Sequence, residues 1–190
     1  MKKDKISAAE LFSIPNILGY FRILMLPVFL VKYSQAKTKE DFLLTFLLLA
    51  VIFLTDALDG YIARRFHMVT DLGKILDPVS DKLVQGALAV AVTFRYSWMK
   101  VFLLVFLIKE LYMACMGLYL IKARNRLNGA KWYGKVCTAF VDVGVLSLLF
   151  LPNLPKQIGN GIICLMIAVE LFSVIAYIGF HRKELKRKMK

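Results

Sequence analysis

Residues 55–82 read TDALDGYIARRFHMVTDLGKILDPVSDK, and Asp56, Asp59, Asp71, Asp77 and Asp81 within them are five of the thirteen acidic residues of the chain. The sequence on both sides is apolar enough to sit in a lipid bilayer. Carboxylates gathered at a membrane require a compensating cation, so this stretch ties the fold to a chemistry.

Over the chain as a whole, 59% of the 190 residues are hydrophobic and the mean hydropathy is +0.64, more apolar surface than one soluble core of that length can bury. Apolar stretches recur at roughly 14–31, 42–58, 83–94, 101–121, 136–152 and 158–180. A membrane-spanning helix takes about 20 mostly apolar residues, so the shorter stretches extend into their polar flanks. The expected fold is an all-α integral membrane protein with six transmembrane helices, residues 1–190 forming a single domain. A short amphipathic helix over Ala8–Phe12 is expected to lie along the interface. Met1–Lys5 is a basic start, but the apolar run behind it continues through Pro27, so it reads as a permanent first span and not as a cleaved leader. Pro152–Pro155 reads as the turn between the last two spans.

The net charge of +13 is unevenly distributed. With six alternating spans and a cytoplasmic N-terminus, 18 of the 26 basic residues fall on the cytoplasmic side and six on the other; Arg22 and Lys109 fall inside spans. The positive-inside rule therefore puts both termini and the acidic stretch in the cytoplasm. The basic tail fits anionic lipid heads; without a soluble basic domain, nucleic acid is not an expected partner. Cys115, Cys137 and Cys164 are scattered through apolar stretches and suggest neither a disulfide framework nor a zinc site.

Asp56 and Asp59 are three residues apart near the end of the second span, and Asp77 and Asp81 four apart at the start of the third; each spacing puts both carboxylates on one helix face. Two such helix ends side by side bring four carboxylates together, which repel one another at low local dielectric. Hard oxygen ligands select Mg2+, Mn2+ or Ca2+ over zinc, and Mg2+ with open positions is normally bound for the phosphates it grips. Gly60, Ala63 and Gly73 remove side chains where a flat ligand could approach a backbone, and Arg64 is a two-pronged donor suited to phosphate. Taken singly, paired carboxylates are ordinarily a solvated face and small residues a packing contact. The complete set at these spacings favours a site.

The pattern Asp56-x2-Asp59-Gly60-x2-Ala63-Arg64-x8-Gly73-x3-Asp77-x3-Asp81 resembles the signature of the CDP-alcohol phosphotransferase family at all eight positions. The segment IPNILGYFRILMLPVF, with Pro15, Asn16 and Arg22, is similar to it as well, so the likeness covers nearly the whole chain. The resemblance implies an integral membrane enzyme, usually a homodimer, that transfers a substituted phosphate from a CDP-linked donor to an alcohol and releases CMP. By position it implies that Asp56, Asp59, Asp77 and Asp81 hold one or two Mg2+ or Mn2+ ions, with Asp81 also the general base. Asn16, Gly60, Ala63, Arg64 and Gly73 are then expected to hold the CDP moiety.

The donor is expected to be CDP-diacylglycerol. An acceptor that carries its own phosphate needs cations, and Lys109, Lys131 and Lys135 are the candidates. Lys135 stands in GKVCTA, similar to the Gly-Lys-x-Lys-Thr stretch of bacterial phosphatidylglycerophosphate synthases, with Cys137 in place of the second lysine. Lys109-Glu110 stands where they carry Arg-Glu, and Gly19 where they carry Thr or Ser. Glycerol 3-phosphate is the first expectation for the acceptor. Eukaryotic-type cardiolipin synthases of the same family also lack the second lysine and use phosphatidylglycerol, and inositol phosphate or serine acceptors are further alternatives.

Two other classes are compatible with buried carboxylates. A membrane prenyltransferase uses paired aspartates around Mg2+ but gives the Gly-x2-Ala-Arg insertion no role. A cation carrier calls for acidic residues at successive depths, whereas these gather at one edge. Among the remaining polar residues, Asp142 and Glu170 are expected to bond to neighbouring helices, His67 to be a solvated loop residue, and Trp98 and Trp132 to anchor helices at the interface. Asp71 is expected to cap the helix that carries Gly73 and Asp77. Pro78 either starts that helix or kinks it.

Overall fold

A computed structural model describes residues 11–124, 131–151 and 154–186. Most of the expected Ala8–Phe12 helix and part of the Pro152–Pro155 turn lie outside the described residues. Among the described residues there are six long helices and no strand: α1 Ile14–Gln35, α2 Lys39–Arg65, α3 Gly73–Thr93, α4 Met99–Arg124, α5 Trp132–Phe150 and α6 Lys156–Lys186. Five of them, α1, α2, α4, α5 and α6, are long and apolar enough to cross a membrane, which makes this an all-α integral membrane protein. The expected sixth span is the exception. Helix α3 has 21 residues, but Asp77, Asp81 and Lys82 break its apolar character in the first half. The chain packs as two compact units, one ending at Ala87 and the other starting at Leu88.

In the first unit, α1 and α2 form a hairpin joined by Ala36, Lys37 and Thr38. A reciprocal cap starts α2: Thr38 Oγ1 accepts the Asp41 N–H at 3.1 Å, and Asp41 Oδ2 accepts the Thr38 N–H at 2.9 Å, so two otherwise orphaned amides are satisfied. Each helix buries one stripe. On α1 it is Asn16, Gly19, Arg22, Leu26, Phe29 and Tyr33; on α2 it is Thr45, Leu49, Ile52, Thr55 and Asp59. Steps of three and four keep these residues on one helical face, and at one end that face turns from apolar to ionic.

Helix α2 ends with the Met68 N–H returning to the Ala63 carbonyl at 3.0 Å while His67 takes φ 54°. That is the left-handed position of a helix stop, ordinarily glycine. Helix α3 then starts on Thr70, whose Oγ1 accepts the Gly73 N–H at 2.9 Å. Thr70, and not Asp71, is therefore the cap. Asp71 instead accepts from Lys74 Nζ at 2.7 Å, and this hydrogen bond holds its carboxyl below the usual carboxylate range. Pro78 lies inside α3, so the helix starts well before it; the proline removes the amide that would reach back to the Lys74 carbonyl.

In the second unit, α6 packs against both α4 and α5. Gly134 on α5 faces the Tyr177 ring and hydroxyl, and Gly144 faces Met166, so that a β-carbon at either position would require the facing side chain to shift. On α4, Lys109 is buried and donates to both Glu170 carboxylate oxygens at 2.9 and 3.0 Å, with Glu110 Oε1 at 3.3 Å. Glu170 thus finds its helix partner inside the unit. A charge buried in this way is retained only when matched. Trp98 and Trp132 are exposed at the starts of α4 and α5, where interfacial anchors were expected.

Candidate active site

The ends of α1 and α2, the loop after α2 and the first turns of α3 enclose a cleft of about 360 Å3. All eight motif positions line it: Asp56, Asp59, Gly60, Ala63, Arg64, Gly73, Asp77 and Asp81, joined by Pro15 and Asn16 from α1. Residues up to 25 positions apart in sequence, together with a separate segment 40 residues upstream of Asp56, thus form one wall-to-wall site. The expected grouping of four carboxylates, small residues and Arg64 is what the structure brings together.

Gly73 and Gly19 are positions of close packing between elements. Gly73 approaches Asn16 Oδ1 and Thr70 Oγ1 so closely that a β-carbon would stand 3.0 and 3.1 Å from them. Asn16 in turn donates from Nδ2 to Thr70 Oγ1 at 3.2 Å, tying α1 to the loop that starts α3. Gly19, where a Thr or Ser was the family expectation, packs under Leu76; a β-carbon would lie 2.8 Å from Leu76 Cδ2. Arg64 stays exposed, its Nε donating to the Gly60 carbonyl at 3.0 Å, which leaves the terminal nitrogens of the fork beside the cleft. Lys74 lines the cleft as well.

The carboxylates meet a residue that the sequence reading noted only as a charge inside a span. Arg22 is 1% exposed. Its Nη1 donates to Asp56 and, at 3.1 Å, to Asp81, while Nη2 donates to Asp59. The carboxylates differ in access: the Asp59 side chain is 6% exposed, those of Asp56 and Asp81 48% and 59%. The clue was available in the spacing, because Asn16, Gly19 and Arg22 recur every third residue and so share a face.

As a metal site, the donor set is four hard carboxylate oxygens suited to Mg2+ or Mn2+. Among the described residues no three acidic, His or Cys side chains surround one point as metal ligands do; three of the four converge on the guanidinium instead. The residues fit a divalent ion in kind and in access, since Asp56 and Asp81 open on the cleft, but in this arrangement Arg22 provides the positive charge.

The three acceptor candidates belong to the second unit. Lys109 is engaged by Glu170 and Glu110. Lys131 Nζ lies 4.3 Å from the Phe180 ring centre, and its backbone N–H donates to Tyr177 Oη at 3.3 Å. Lys135 is exposed on α5. Cys137, where the similar motif has a lysine, is buried and lines an apolar cleft of about 340 Å3 with Val136, Phe140, Ala168, Val169 and Phe172.

Comparison with known proteins bears on most of the chain. Residues 12–176 match the model of the family described as CDP-alcohol phosphatidyltransferase. Proteins from Escherichia coli (strain K12) and Shigella flexneri serotype 5b (strain 8401), each named CDP-diacylglycerol--glycerol-3-phosphate 3-phosphatidyltransferase, are 29% identical to it over 178 residues, covering 92% of this chain and 97% of theirs. The eight cleft residues and a match running through nearly all the helices lead to one assignment: the chain belongs to the CDP-alcohol phosphatidyltransferase family and is a phosphatidyltransferase enzyme.

Proposed function

We propose that the cleft transfers the phosphatidyl group of CDP-diacylglycerol to glycerol 3-phosphate, releasing CMP and forming phosphatidylglycerophosphate, on the cytoplasmic side of a bacterial cell membrane. The observation that carries this reading is the lining of one cleft by all eight motif residues. The names of the relatives support the acceptor.

A divalent ion held by Asp56, Asp59, Asp77 and Asp81 would neutralise the diphosphate and the charge that develops on departing CMP. The chain's own groups do the rest. Gly60 and Ala63 leave the backbone open for the nucleotide, and Gly73 lets the start of α3 close on Asn16 and Thr70 at its edge, with Asn16 and Arg64 as polar contacts to it; Arg64 and Lys74 carry positive charge to the phosphates. Asp81 takes the proton of the acceptor hydroxyl as its oxygen bonds to the phosphatidyl phosphorus. The bond from that phosphorus to the bridging oxygen breaks, and the electron pair leaves with CMP. Lys131 and Lys135 are the proposed contacts for the acceptor's phosphate. Lys109, with its charge already matched by Glu170, contributes by holding α4 to α6. We further infer six spans in one domain, and a homodimer as the working assembly.

A second reading, with phosphatidylglycerol as acceptor, draws on Cys137: its apolar cleft suits a lipid better than a second phosphate-binding lysine would. The deciding experiment supplies purified protein with CDP-diacylglycerol and, separately, glycerol 3-phosphate, phosphatidylglycerol, inositol phosphate or serine, with Mg2+, Mn2+ or EDTA. The expected result is CMP and phosphatidylglycerophosphate with glycerol 3-phosphate alone, abolished by EDTA. Product with phosphatidylglycerol and none with glycerol 3-phosphate selects the second reading. Full turnover in EDTA removes the metal.

A further inference from the structure

We propose that Arg22 is a resident counter-cation of the aspartate cluster: it holds Asp56, Asp59 and Asp81 together in the metal-free protein and yields Asp56 and Asp81 to a divalent ion while keeping Asp59. The inference rests on the metal reading above and adds a competitor for the same oxygens.

The geometry points to exchange. A guanidinium bonds best when two of its nitrogens face the two oxygens of one carboxylate. Arg22 does otherwise: Nη1 is shared between Asp56 and Asp81, Nη2 goes to Asp59, and Nε is buried without a hydrogen-bond partner among the described residues. Each carboxylate is thus held by a single contact and not by the bidentate pair a guanidinium makes best, which leaves the oxygens of Asp56 and Asp81 open to a competing cation.

Charge and access say which part. One guanidinium cannot balance four carboxylates, and Coulomb attraction to a doubly charged ion at the same distance is twice as large. Asp56 and Asp81 are half-exposed to the cleft, whereas Asp59 is buried against Arg22. An ion arriving from the cleft meets the first two. Arg22, buried on the inner stripe of α1, retains Asp59 as partner and so is never left as an unmatched charge, which would be far costlier. Metal occupancy then has a threshold set by the chain itself.

The test is Mn2+ binding to the full-length protein in detergent, read from the paramagnetic resonance signal of free Mn2+, with thermal unfolding measured in parallel. Arg22→Gln is expected to bind Mn2+ about tenfold to a hundredfold more tightly than wild type, the span of ordinary coupling between two ligands. Without Mn2+ it is expected to melt lower than wild type and to gain more from added Mn2+. Arg22→Lys, which keeps the charge but cannot bridge three carboxylates, serves if the glutamine variant does not fold, and is expected to bind Mn2+ more tightly than wild type by a smaller factor. If wild type binds Mn2+ and the folded variants bind it equally or more weakly, Arg22 orders the ligands and the proposal is overturned. If neither wild type nor variants bind Mn2+, the metal reading itself fails and the proposal goes with it.

Discussion

Asp56 and Asp81 share one guanidinium nitrogen, yet their expected contributions to turnover are different. Asp81→Asn keeps the shape and one oxygen but removes the proton acceptor. It is expected to retain CDP-diacylglycerol binding while turnover falls about 10²–10⁴-fold, the usual weight of a general base. Asp56→Ala removes an oxygen pair from the proposed ligand set and is expected to lose metal and nucleotide together. Measuring binding and turnover separately decides; an equal loss of binding in both variants would strip Asp81 of its special role. The aspartates were legible in the sequence because their spacings of three and four are local facts. For the partner of three of them the spacing shows only that Arg22 shares a face with Asn16, not which carboxylates it meets. Arg22 lies 34, 37 and 59 residues from Asp56, Asp59 and Asp81, and only the pairing of α1 with α2 and the turn into α3 brings them together.

Helix ends and helix contacts carry two further expectations. His67 holds φ 54° at the end of α2, a conformation that costs an L-residue roughly 1 kcal/mol or more and glycine almost nothing. His67→Gly is expected to raise stability by about 1 kcal/mol, or roughly 2–4 °C in a melting curve, without changing turnover; a lower melting point would mean that the imidazole makes a contact worth more than the strain. Gly134 poses the opposite case, because a β-carbon there would meet the Tyr177 ring and hydroxyl. Gly134→Ala is expected to cost about 1–3 kcal/mol, as overpacking does. Adding Tyr177→Phe, which removes the nearest atom, is expected to restore part of it, and no restoration would place the strain elsewhere. Helix positions were readable from apolar stretches and breakers. Their ends were not: Thr70 caps α3 although Asp71 beside it is an equally good cap residue, because Asp71 is drawn to Lys74 and Thr70 to both Gly73 and Asn16. Choices between adjacent candidates are settled by what each side chain can reach.

At the scale of the molecule the open quantity is the number of crossings, and it turns on α3. Its 21 residues amount to about 31 Å at 1.5 Å per residue, enough for a hydrocarbon core of about 30 Å, but the apolar part after Lys82 covers only about half of that. A crossing is possible for such a helix when its charged half faces protein and water instead of lipid, and Asp77 and Asp81 do line a cleft walled by α1 and α2. The charge pattern favours the crossing as well: six spans would place Arg95 and Lys100 opposite the far larger basic set of Arg64, Arg65, Lys74 and the tail, the distribution the positive-inside rule describes. Single cysteines in place of Lys37, Asp71 or Ser97, all exposed, in a protein whose three native cysteines are replaced, will report this through a membrane-impermeant thiol reagent. Asp71→Cys is expected to react only from the cytoplasmic side, and Lys37→Cys and Ser97→Cys only from the other. Reaction of Ser97→Cys on the same side as Asp71→Cys would mean that α3 does not cross, leaving five spans, the two termini on opposite sides and the basic tail on the face where positive charge is disfavoured.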